Sequence, residues 1–133
     1  MRIACSLGSL LSVEEVIQCT ELVSKTGIDS IWIPETWGME NFSMLGAVAN
    51  QTKTQKIGSS IINIYSRSPS TIAMGSATTD TLSNGRLILG LGTSSVPIVE
   101  DFHGEKFENP VQRMREYVEI IRLSLMKKQI NYS

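Results

Sequence analysis

Glu35 is the side chain best placed to do chemistry. It follows the apolar run Ile31-Trp32-Ile33 and Pro34, where a buried strand would end. Burial there would raise its pKa, which suits a general acid or a hydrogen-bond acceptor for a ligand. A salt bridge to Arg67 or a helix N-cap accounts for it equally well, so both readings stay open. A second polar group, Asn63, Tyr65, Ser66 and Arg67, closes the next apolar run. Arg67 either clamps a phosphate or carboxylate or pairs with Glu35 or Asp80. His103 is the only histidine, so this chain builds no histidine-based metal site. Its loop position fits packing or a rim better than catalysis. Trp32 is expected in the core, and Trp37 could pave a pocket for a flat ligand.

Other chemistries find less support. Gly90-x-Gly92 lacks the third glycine of a dinucleotide fingerprint and has Val96-Pro97 nearby instead of a helix start. A tight turn or a close approach to the backbone explains Gly92 more simply. There is no nucleophile elbow, no partner motif for Cys5 or Cys19, and no glycosidase-like carboxylate pair. A site without nucleophile or metal takes its reactivity from an organic cofactor.

These residues sit on alternating strands and helices. The predicted strands are Arg2 to Leu7, Ile28 to Pro34, Lys56 to Ile64 and Arg86 to Gly92. The second is apolar throughout, as when both faces of a parallel sheet are buried. Ser12-Val13-Glu14-Glu15 forms a capping box, and Val13, Val16, Ile17, Thr20 and Val23 follow at helical spacing until Gly27. Further helices are predicted over 42–51 and 69–83. After a loop from Thr93 to Asn109, Asn109-Pro110 starts a helix with an N-cap side chain and Pro at the first helical position. Val111, Met114, Val118, Ile121 and Leu125 should line its buried face. Such βα alternation means parallel strands with right-handed crossovers. The fold class is α/β: either the N-terminal half of a (β/α)8 TIM barrel with four parallel βα units, or an open doubly wound sheet. In both, function lies at the C-terminal strand ends.

Composition agrees with one folded domain over residues 1–133. Hydrophobic residues make up 41% and charged residues 19%, and the formal charge is -1, so no basic field attracts nucleic acid. No apolar run approaches a membrane span, and Met1-Arg2-Ile3-Ala4 leads straight into a strand, not a signal peptide. Two cysteines without metal-ligand or disulfide spacing fit a reduced, cytoplasmic setting.

Several stretches are specific in combination. Ile31-Trp32-Ile33-Pro34-Glu35-Thr36-Trp37-Gly38 resembles the second-strand end of the bacterial-luciferase-like superfamily, and Gly85-Arg86-Leu87-Ile88-Leu89-Gly90-Leu91-Gly92-Thr93-Ser94 resembles its fourth strand. Val99-Glu100-Asp101-Phe102-His103-Gly104, then Phe107, Pro110, Arg113, Glu116 and the run Tyr117 to Arg122, are similar to the loop and helix that follow. The branch is that of deazaflavin-dependent oxidoreductases similar to methylenetetrahydromethanopterin reductase, and the resemblance covers essentially the whole chain.

The resemblance implies a (β/α)8 barrel, usually a dimer, that binds coenzyme F420 or FMN in its mouth and transfers hydride to or from a small-molecule substrate. It also implies a bulge with a non-prolyl cis peptide at the end of strand three, at Ser60-Ile61 by alignment on Asn63, Tyr65, Arg67 and Pro69. Ser60, Ile61, Ile62 and Asn63 would back the cofactor ring, Thr93 and Ser94 would contact it, and Glu35 would stand near the reacting edge as the catalytic group. Where some members carry His after strand two and Glu after strand four, this chain has Glu35-Thr36 and Ser94-Ser95. An FMN-dependent monooxygenase is the alternative activity, and a non-catalytic half-barrel serving binding or assembly is the alternative of another class. A complete barrel needs ~250 residues. Four units alone would leave strand edges and apolar faces uncovered, so a homo-oligomer is expected.

Overall fold

In a computed structural model, residues 1–8 and 10–126 are described. Four strands, β1 (Ala4–Ser6), β2 (Ser30–Ile33), β3 (Lys56–Ser59) and β5 (Leu87–Ile88), form a parallel sheet in the order β1-β2-β3-β5. A second parallel pair joins β4 (Ile62–Asn63) to β6 (Leu91–Gly92), with Ile62 opposite Leu91. Helices α1 (Val13–Ser24), α2 (Asn41–Gln51), α3 (Pro69–Leu82) and α4 (Pro110–Leu125) alternate with the strands. The α/β class and parallel order are those expected.

The third and fourth strands are each broken rather than continuous, and the two breaks face each other. The Ser59 hydroxyl donates to the Gly90 carbonyl at 2.9 Å and accepts from the Gly90 N–H at 2.8 Å. One side chain thus replaces a rung of the ladder. The approach requires glycine, because a Cβ at position 90 would lie 2.1 Å from the Ser59 carbonyl oxygen. β2 also departs from expectation. Ile31 and Ile33 are fully buried, whereas Ser30 and Trp32 are half-buried. Only one face of the sheet is covered by the described helices. On the other, the Trp32 ring occupies the space a Cβ of Gly58 would need.

The local signal at the start of α1 holds, and that at α4 does not. The Ser12 hydroxyl accepts from the Glu15 N–H while the Glu15 carboxylate accepts from the Ser12 N–H, a complete capping box. Ser68 caps α3 ahead of Pro69. Asn109 does not cap α4 with its side chain. Its backbone is left-handed (φ 46°), and only its carbonyl receives the Arg113 N–H. The preceding loop contains a π-helical turn, Pro97–Phe102. The buried face of α4 centres on Tyr117 and Ile121, with Val111 and Leu125 exposed. Val99 of the π-helical turn helps set that rotation, since it shares a core cluster with both.

Two clusters form the interior. Leu7, Val16, Ile31, Ile33, Met44, Leu45, Val48, Ala49 and Ile57 pack under α1 and α2. Ile62, Ile64, Tyr65, Ile72, Ala73, Val99, Tyr117 and Ile121 pack under α3 and α4. Below them Arg86 (8% exposed) ties the C-terminal ends of α2 and α3 through five hydrogen bonds.

Candidate functional site

Glu35 and Arg67 meet at the C-terminal strand ends. The Arg67 Nη1 donates to Glu35 Oε2 at 2.7 Å and Nη2 donates to Oε1 at 2.5 Å, a two-pronged pair. Oε1 also accepts from the Asn41 N–H (3.1 Å), at the first residue of α2, and Oε2 from the Asn63 N–H (3.4 Å). The Glu35 side chain is 9% exposed and that of Arg67 15%. Both oxygens are therefore occupied. The carboxylate links β2, β4 and the start of α2, so the ion-pair reading of Glu35 describes its geometry. Asp80 is not the partner of Arg67; it receives the Leu87 N–H instead.

Glu40 closes the other side of Arg67. It caps α2 by accepting from the N–H groups of Phe42 (3.1 Å) and Ser43 (2.7 Å), and it accepts from Arg67 Nη2. Hydrogen bonding to Glu35 first, then the charges of Glu35 and Glu40, hold Arg67 more firmly protonated than usual despite its partial burial. Partial burial pushes the Glu40 carboxyl up. The Ser43 and Phe42 donors and the Arg67 charge outweigh this and hold it below the usual glutamate range. The folded state then binds fewer protons at Glu40 than the unfolded state. Its contribution is complete above the ordinary glutamate pKa and is lost as pH falls through the depressed one. Glu40→Gln is therefore expected to lower the urea midpoint at pH 7, with the gap to the native protein shrinking as pH falls below the ordinary glutamate range. A gap that stays constant as pH falls would show that Glu40 ionisation adds nothing.

The break between β3 and β4 is where the cofactor ring was expected. Ser60-Ile61 is a non-prolyl cis peptide at the position read from the sequence. Ser60 is exposed and Ile61 half-buried. The Ile61 side chain rests against Gly92, where an added Cβ would come within 2.6 Å of Ile61 Cγ1. Ile62 is fully buried and Asn63 is 2% exposed, so their side chains enter the core and only their backbone lies near the bulge. Asn63 Oδ1 accepts from the Tyr65 N–H at 2.9 Å, while its buried Nδ2 has no partner. Thr93 and Ser94 are half-buried at the end of β6, with Ser94 in the left-handed region (φ 60°).

Tyr65 is not a mouth residue. It is 3% exposed, stacks on Phe107 and donates its hydroxyl to the Glu108 carbonyl. A pocket of about 260 Å3 opens beside Glu35 and Arg67, with Trp37, Glu40, Phe102 and His103 among its lining residues. His103, expected to serve loop packing or a rim, is carried with Phe102 across to the β2 end by the π-helical turn. Phe102 had no assigned role, and its only signal was its place beside His103 in the similar loop. Among the described residues, no group of three or more His, Cys, Asp or Glu side chains could hold a metal ion, and no helix is long and apolar enough to cross a membrane.

Comparison with known proteins matches the family described as luciferase-like monooxygenase over residues 1–133. The 5,10-methylenetetrahydromethanopterin reductase of Archaeoglobus fulgidus is 36% identical over 113 residues, which span 84% of this chain and 34% of that protein. The chain thus spans about a third of the length of that curated relative. Two solved structures share the fold at TM-score 0.87. One is the coenzyme F420-dependent tetrahydromethanopterin reductase of Methanopyrus kandleri (23% identity, 99% of this chain, 42% of that one). The other is the oxygenating constituent of 3,6-diketocamphane monooxygenase from Pseudomonas putida, a type II Baeyer-Villiger monooxygenase in complex with FMN (18% identity, 100% of this chain, 42% of that one).

Proposed function

Because the chain belongs to the luciferase-like monooxygenase family, we propose that it forms the N-terminal four βα units of a (β/α)8-barrel oxidoreductase that uses coenzyme F420. The observation that carries this reading is the platform at the strand break, where Ser60 is exposed and apolar Ile61 lies over Gly92. A Cβ at position 92 would lift Ile61, so the glycine keeps the platform low, which fits the face of a flat ring.

The bound deazaflavin would supply the hydride-carrying carbon. In this reading the backbone of Ser60, Ile61, Ile62 and Asn63 backs the ring, and Thr93 and Ser94 contact it from β6. Glu35 acts as a positioning residue: by gripping Arg67 and the Asn63 N–H it holds β4 and the bulge against β2. Water exclusion by the mouth would favour hydride transfer over side reactions. The small-molecule substrate and the homo-oligomeric assembly belong to the same proposal.

Titration of the full-length protein with both cofactors tests the choice. Coenzyme F420 is expected to bind at least about tenfold more tightly than FMN, a difference of ~1.4 kcal/mol. Tight binding of FMN alone would replace this reading with the FMN-dependent monooxygenase suggested by the FMN-bound neighbour.

A further inference from the structure

We propose that the 260 Å3 pocket at the ends of β2 and β4 is the substrate subsite beside the cofactor, shaped for an uncharged planar compound of one or two rings and closed to anionic substrates. The word substrate rests on the cofactor reading above; the selectivity rests on the pocket itself.

Its walls are aromatic and incompletely buried. Trp37, from the β2–α2 loop, is 56% exposed, and Phe102, from the π-helical turn, is 51% exposed. Their rings meet edge-on with centroids 5.3 Å apart at 74°. Phe102 in turn meets the His103 ring edge-on, at 5.0 Å and 71°. Two large aromatic groups from separate loops thus converge at the mouth yet keep half their surface in water. A flat ring laid against this pair would bury that exposed surface and gain aromatic contact. Half-buried His103 adds ring nitrogens that can hydrogen-bond a carbonyl or hydroxyl. The volume of about 260 Å3 has room for one or two rings.

The floor decides the charge. Arg67 is the cation there, and both terminal nitrogens are already committed, to Glu35 and Glu40. One positive and two negative groups leave a formal charge of -1. The Glu40 side chain is 46% exposed, so an entering anion meets a carboxylate instead of a free guanidinium. A phosphate or carboxylate would have to break the pair that holds β2 to β4.

Isothermal titration of the full-length protein with two probes of matched shape tests the inference: neutral 2-acetylnaphthalene and anionic 2-naphthoate. The neutral probe is expected to bind at least about tenfold more tightly. Trp37→Ala and Phe102→Ala should each weaken it at least about fivefold, with the melting midpoint and F420 affinity retained. Should either alanine variant fold poorly, Trp37→Leu or Phe102→Leu replaces it under the same criterion. Glu40→Gln, which keeps a capping oxygen, should narrow the gap between probes at least about threefold. A gap below tenfold, unchanged neutral affinity in both aromatic variants, or an unaltered gap in Glu40→Gln overturns the proposal. F420 binding without discrimination between probes would overturn the subsite and leave the cofactor reading standing. Discrimination without F420 binding would remove the cofactor reading and leave the pocket's selectivity standing.

Discussion

Glu35→Gln is expected to destabilise the protein by about 3–5 kcal/mol, the cost of removing one partner of a buried ion pair. The glutamine amide turns a donor toward a guanidinium that has only donors, and one of the two carboxylate prongs is lost. Arg67 would then keep its charge near a mouth where only the half-exposed Glu40 remains to answer it. The N–H groups of Asn41 and Asn63 share the two carboxylate oxygens, so at least one of them loses its acceptor or keeps a weaker one. Urea unfolding of the single variants and of Glu35→Gln with Arg67→Met provides the measurement. The double variant should lose at least ~1 kcal/mol less than the sum of the singles, because the second change removes the guanidinium that Glu35 no longer grips. Strict additivity would mean that the pair is not coupled.

The same substitution separates positioning from proton transfer in the full-length protein, if it has the proposed activity. A group acting as acid or base contributes ~10²-fold or more to kcat/KM and leaves a limb in the pH profile. A positioning role predicts a loss shared by Glu35→Gln and Arg67→Met, with the shape of the pH profile unchanged. Loss of one limb in Glu35→Gln alone would make Glu35 the proton-transfer group.

Arg86→Met is the second large expected effect, again about 3–5 kcal/mol. All five N–H donors of Arg86 are in use. Nε bonds the Ser83 carbonyl at 2.6 Å, Nη1 bonds Thr52 Oγ1 at 2.8 Å and the Gln55 carbonyl at 2.7 Å, and Nη2 bonds the carbonyls of Ala49 at 3.0 Å and Thr52 at 2.8 Å. Burial lowers its pKa below the usual arginine value, yet the bonds satisfy carbonyls at the C-terminal ends of two helices, where positive charge is favoured. Methionine fills the volume and leaves those carbonyls without a donor. Arg86→Lys keeps the charge but has only three donors without the planar fork, so its urea midpoint should fall between those of the native protein and Arg86→Met. A methionine variant within 1 kcal/mol of the native protein would show that the carbonyls find other partners.

Neither residue advertises its partners. Arg86 stands in a Gly-Arg-Leu-Ile stretch whose resemblance was plain, but four of its five acceptors lie 31 to 37 residues away. No periodicity or motif reports a contact of that range. Glu35 and Arg67 were legible as candidates because each follows an apolar run at a strand end; which of their two readings held depended on a distance. Tyr65 joined a polar cluster by adjacency along the chain, and the chain then turned it into the core. The expected Asn109 cap failed for a related reason: the left-handed backbone at that residue turns its side chain away from the helix start.

What the sequence by itself determined is the part written in short-range physics. The 3.6-residue apolar spacing of α1, the Ser12–Glu15 box, the Ser68-Pro69 start and the apolar strand runs specify βα units from interactions spanning a few residues. That alternation compels a parallel sheet. Only the tertiary structure decided how the third and fourth strands break. That outcome needs Ser59 and Gly90, 31 residues apart, to share a hydroxyl across a gap that admits no Cβ. It also decided that Arg67 is consumed by two carboxylates and that Phe102 and His103 reach the β2 end. Those contacts depend on loop paths set by the packing of Val99, Tyr117 and Ile121, and such packing is a property of volumes in three dimensions that no linear spacing records.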